Sequence, residues 1–191
     1  MKRLFLTTAI SLTATAAFAD TRTDVLTTYA DIAAATYGDS LTTAQTLQAA
    51  VDALIAEPSE TNLTAARTAW KAARVPYQQS EVFRFGNPIV DDWEGGLNAW
   101  PLDEGLIDYV KNTLQEADGV EANVATGYHA IEFLLWGQDL NGNGPGAGNR
   151  PWTDYAVGDD CTNNNCDRRG AYLKAATQLL VSDLEWMSAQ W

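Results

Sequence analysis

Gly127-Tyr128-His129-Ala130-Ile131-Glu132-Phe133-Leu134-Leu135-Trp136-Gly137 sets the only histidine of the chain in an otherwise apolar run. From Ala122 to Trp136 there is no proline and helix formers dominate, so the spacing predicts a helix. On it His129 and Glu132, three residues apart, project from one face, where an imidazole nitrogen and a carboxylate can meet one ion or one substrate. A lone histidine on an apolar helix is ordinarily a hydrogen-bonded core residue. A carboxylate one turn on, another on the stripe of a different helix, and Gly127 beside it shift the reading towards a metal site. Glycine costs a helix about 1 kcal/mol relative to alanine, so Gly127 implies close approach of another helix or of a ligand. Gly127 and Tyr128 are therefore candidate ligand-binding residues.

Outward from that stretch, 191 residues suffice for one domain with a sizeable core. Residues 1–19 read as a secretory signal peptide: Lys2 and Arg3 precede the apolar run Leu4 to Ala17, and Ala17-Phe18-Ala19 is a small-x-small cleavage site. The run is shorter than the ~20 residues a spanning helix needs, and no membrane segment is expected after cleavage. The mature part, residues 20–191, keeps 10 basic against 25 acidic residues, a balance of −15. Such a surface repels nucleic acid and anionic lipid while attracting cations. Cys161 and Cys166, in a polar loop of an exported chain, read as a local disulfide.

Helical spacing recurs along the chain. Helices are expected over 21–37 and 40–56, divided at Gly38, with Asp39 or Ser40 capping the second, whose stripe is Leu41, Ala44, Leu47, Val51 and Leu54. Ser59 opens a third, with Leu63, Ala66, Trp70, Ala73, Tyr77, Glu81 and Arg84 on one stripe and a bend at Pro76. Glu81 and Arg84 should continue its inward side, as an ion pair or as functional groups; Arg84 can hold Glu81 ionised or meet an anionic ligand. Residues 87–101 read as an ordered loop, Asp103 as the cap of a helix to about Ala117 and a reserve ligand, and 168–190 as the last helix. In the glycine-rich segment 138–148, Asp139, Asn141, Asn143 and Gly144 match half of a calcium loop, but Arg150 stands where a bidentate glutamate is needed, which argues against calcium.

Gly127-x-His129-x-x-Glu132 followed by Phe-Leu-Leu-Trp-Gly resembles the signature of the imelysin family, bacterial cell-envelope proteins classed in part as metallopeptidases and in part as iron-regulated proteins of iron uptake. The segments 77–86, 100–109, 150–155 and 166–173 are also similar to family sequence, and the first of them favours a functional Glu81. The resemblance implies an all-α helical bundle, one four-helix-bundle half of a two-half family architecture, with a long glycine-rich loop. It also implies a periplasmic or outer-membrane-associated location and an envelope iron-uptake partner.

One imidazole with carboxylates suits iron, manganese or zinc rather than copper(I). The family ranks iron first, ahead of zinc and calcium. His-Glu-x-x-His is absent, and Phe133 breaks the inverted arrangement, so nothing visible supplies a peptidase base. The expectation is an exported protein that binds iron through His129, Glu132, Glu81 and the reserve Asp103, without turnover. The alternatives are a metallopeptidase with a His/Glu/Glu site and a non-catalytic interaction module using the tryptophans of 87–101.

Overall fold

A 51-residue helix, α1 (Leu6–Ala56), is the wall against which the other elements lean. The computed structural model describes residues 6–109, 122–138, 148–162 and 165–191. Its further helices are α2 (Glu60–Gln79), α3 (Pro88–Leu97), α4 (Glu104–Tyr109), α5 (Gly127–Trp136) and α6 (Cys166–Ser188), with 3-10 turns over Ser80–Phe83, Ala122–Ala125, Trp152–Tyr155 and Gly158–Asp160. No strand occurs among the described residues, and the architecture is the all-α bundle expected. α1 packs along α2 and α6, and α5 closes the bundle against α6 and α2.

The predicted stripes make the core. Ala44, Leu47, Val51 and Leu54 of α1 meet Leu63, Ala66, Ala73 and Tyr77 of α2 and Leu173, Ala176, Leu180 and Leu184 of α6, all buried. Each large aliphatic side chain so placed contributes about 1.5–3 kcal/mol. A second cluster, Ala33, Tyr37, Phe83, Val90 and Met187, lies beside Trp93 and Trp191.

Local signals are overruled where packing outweighs them. α1 does not break at Gly38, because Ala33 and Tyr37 before it and Ala44 after it are all buried; this outweighs the ~1 kcal/mol a helical glycine costs. Ser40 is accordingly no cap, and its hydroxyl donates to the Thr36 carbonyl at 2.9 Å. Ser59 does cap α2, accepting from the Asn62 N–H at 3.3 Å. α2 runs past Pro76 to Gln79 before tightening into the first 3-10 turn. The loop expected over 87–101 contains α3, for Pro88 sits in its first turn, where proline is tolerated, and Val90, Glu94 and Leu97 form one buried face. Asp103 caps α4 as expected, its Oδ1 accepting from the Leu106 N–H at 2.8 Å. The rest of that helix, 110–117, and the half calcium loop, 139–144, lie outside the described residues.

Between α5 and α6 the chain is tied by polar contacts. Cys161 and Cys166 form the expected disulfide. Buried Asp154 bonds Arg150 at 3.0 Å, stands 3.7 Å from Arg169 and accepts from Thr162 at 2.9 Å. Arg67 of α2 donates to the carbonyls of Leu135, at 2.9 and 3.1 Å, and of Arg150, at 2.8 Å.

Asp154→Ala removes the carboxylate shared by two buried guanidinium groups and is expected to lower unfolding stability by about 3–5 kcal/mol in urea titration. Asp183 offers a pH test: burial raises its carboxyl to about 6. The folded state therefore holds this proton more tightly, and the stabilisation is complete below the unfolded value, near 4, and disappears as pH rises through 6. Asp183→Asn should flatten the fall in stability between pH 4 and 6, measured by denaturant midpoints across that range.

Candidate functional site

The site is built where α5 begins. Gly127 has φ +75°, and a Cβ there would stand 2.3 Å from the Leu97 carbonyl oxygen and 2.7 Å from that of Gly96. The close approach that the glycine implied is therefore to the backbone at the end of α3. This is also why α5 starts at residue 127 and not at 122, where the sequence placed it. Tyr128 is likewise a packing residue, fully buried. Its hydroxyl donates to the Ala73 carbonyl at 3.3 Å, its own carbonyl accepts from Trp70 Nε1 at 3.0 Å, and burial pushes the phenol well above its ordinary range.

With Tyr128 turned inward, its neighbour turns outward. His129 Nδ1 is 3.2 Å from Glu132 Oε2; the imidazole is 22% exposed and the carboxylate 45%. The pair thus shares the face that the i, i+3 spacing predicts. In the neutral tautomer that carries its proton on Nδ1, the ring donates to the carboxylate and Nε2 keeps its lone pair. Trp100, three-quarters exposed, stands edge-on to the imidazole, with ring centroids 5.2 Å apart at 63°. Further along the same face, Trp136 packs against Trp70 with centroids 5.2 Å apart.

Glu81 and Arg84 do not point inward. The chain leaves α2 through the turn at Ser80–Phe83, and both side chains end up at the surface, 46% and 40% exposed. Arg84 gathers three carboxylates, Asp91 at 2.7 Å, Glu94 at 3.0 Å and Glu81 at 3.8 Å. The hydrogen bond to Asp91, then the charge of Glu94, raises its pKa further. Asp103 is engaged as the α4 cap. Among the described residues no three His, Cys, Asp or Glu side chains converge as a metal-holding group. The structure brings together His129 and Glu132 beside Trp100; Glu81 and Arg84 form the ion pair that is one of their two expected roles, and Asp103 serves as the cap. Trp100 is the neighbour that the sequence did not assign to this pair, since only tertiary packing carries 100 to 129.

Residues 33–191 match the family described as Imelysin, and the match begins at Ala33, where α1 enters the core. The protein named iron-regulated protein A in Synechococcus elongatus is 35% identical over 80 residues, 41% of this chain and 21% of the relative. A crystal structure from Parabacteroides distasonis, of a protein provisionally named an iron-regulated protein A precursor, shares 28% identity at a TM-score of 0.60. That likeness covers 83% of this chain and 41% of the other. In both cases the match occupies less than half of the relative's length.

Gly127→Ala sets a Cβ against backbone that cannot yield as a side chain would, at a φ that alanine adopts with strain. A loss of about 2–4 kcal/mol is expected in urea unfolding, together with a displaced His129 ring resonance by NMR.

Proposed function

Because the chain belongs to the imelysin family, we propose that it is an exported protein of the cell envelope that binds iron at the His129–Glu132 face and serves iron acquisition rather than turnover. Export is supported by the leader-like residues 1–19, and none of the described helices is long and apolar enough to cross a membrane. The choice of iron leans on the names of the two relatives and on donor chemistry.

One contact carries the reading: the 3.2 Å approach of His129 Nδ1 to Glu132 Oε2 on a face open to solvent. The Glu132 carboxylate, 3.2 Å from Nδ1, orients the ring and leaves Nε2 directed away from it, as carboxylate partners of metal-binding histidines do. Of the residues present, His129 would give such an ion one borderline nitrogen, Nε2, while the Glu132 carboxylate, engaged at Nδ1, would stand behind the ring as the orienting partner. Bound iron supplies a Lewis-acidic centre; His129 contributes the nitrogen donor, and Glu132 contributes orientation and negative charge. Trp100 shields one side of the ring from water.

Equilibrium dialysis of ferrous ion against wild type, His129→Ala and Glu132→Gln tests this. His129→Ala should abolish retention, and Glu132→Gln should weaken it about 10–100-fold. Equal, negligible retention in all three removes the proposal.

A further inference from the structure

A cationic flank runs beside this pair on a chain that is otherwise strongly acidic. Arg67, Lys71 and Arg74 fall at i, i+4 and i+7 of α2, the spacing of one helical face. That face looks towards α5: the Arg67 guanidinium lies 5.6 Å and Lys71 Nζ 5.7 Å from the Trp136 ring centroid, and the Arg74 guanidinium 5.1 Å from that of Tyr128. Arg67 bonds the Leu135 carbonyl and Ala73 accepts from Tyr128, so the two helices run antiparallel. Lys71, between these two contacts on α2, then lies alongside the middle of α5. Trp136, four residues after Glu132 and seven after His129, extends the same face towards Lys71.

These cations are not equally engaged. Arg67 holds backbone carbonyls, whereas Arg74 gives one nitrogen to Asn98 Oδ1 at 2.8 Å and the exposed Lys71 ammonium rests against Trp136. Such a flank repels a bare cation and attracts an anion. An arginine with further donors and an exposed lysine are the groups that pair with carboxylates. The indoles of Trp100 and Trp136 bound the face at either end.

We propose that the His129–Glu132 face receives its metal as an anionic chelate, a ferric polycarboxylate complex, whose outer carboxylates pair with Lys71 and Arg74. The inference rests on the metal reading of the same pair. It is a binding step, in which no bond of the chelator is broken.

Ferric citrate, citrate alone and ferrous ion, titrated into the full chain with tryptophan fluorescence and calorimetry as readouts, test it. Ferric citrate should bind more tightly than either component and weaken as salt rises. Lys71→Glu, at an exposed position, should weaken ferric citrate roughly fivefold, a larger factor than its effect on ferrous ion, and Lys71→Arg should restore it. Ferric citrate binding that ignores both salt and Lys71→Glu, or that is weaker than ferrous binding, overturns the inference. Ferrous binding that needs His129, without chelate binding, leaves the metal reading intact and sinks only the chelate. Chelate binding that needs Lys71 but survives His129→Ala overturns the inference as well, since the metal then does not reach the imidazole, and no binding of any probe removes both.

Discussion

A ten-residue helix has no stability of its own in water, so α5 exists because both of its ends are clamped by other parts of the chain. At its start, Gly127 lets the backbone touch the carbonyls that finish α3. At its end, Arg67 crosses from α2 to bond the Leu135 carbonyl, and the Arg150 N–H donates to the Trp136 carbonyl at 2.9 Å. Gly148 passes so close that a Cβ there would meet the Trp136 carbonyl oxygen at 2.3 Å. A cation at the last carbonyls also complements the negative end of the helix dipole. The orientation of His129 is a consequence of these clamps, since Tyr128, Ile131, Leu134 and Leu135 are drawn into the core and leave residues 129, 132 and 136 on the outer side.

The buried polar tie around Asp154 belongs to the same constraint. Arg150 bonds Asp154 through its side chain while its backbone joins Arg67 and Trp136, so one residue links the end of α5, the segment after it and α2. The disulfide at Cys161–Cys166 then fixes where α6 begins. α6 carries Tyr172, whose hydroxyl donates to the Ala125 carbonyl at 2.6 Å, just ahead of α5. The face bearing His129 is thus set on rigid elements, the condition under which a site holds its geometry.

What the sequence disclosed follows the range of the forces involved. Stripes such as Leu47, Val51 and Leu54, the Ser59 and Asp103 caps, the disulfide, and the shared side of His129 and Glu132 all arise within a few residues and could be read from spacing. The continuity of α1 through Gly38 and the helix in 88–97 could not, because each depends on burial against distant partners, Tyr37 on Phe83 and Trp93 on the Asp183 carbonyl. Glu81 was misplaced for a related reason. Extending the α2 stripe assumes an α-helical period, and the tighter turn at Ser80–Phe83 rotates Glu81 to the surface, where Arg84 and its acidic neighbours hold the segment.

Position in the fold also decides what a charge can do. Arg84 sits among three carboxylates and is largely neutralised by them. Arg67, Lys71 and Arg74 sit against indole and phenol rings, which attract a cation by their quadrupole without cancelling its charge. A guanidinium or ammonium held this way keeps its long-range field and loses side-chain freedom in advance, so less entropy remains to be lost when an anion arrives. On a chain whose net charge is −13, that arrangement gathers three cationic side chains along one flank of α5. An acidic protein can attract a free cation almost anywhere on its surface; beside α5 it presents an imidazole bordered by cationic side chains, which favour an anion over a bare cation.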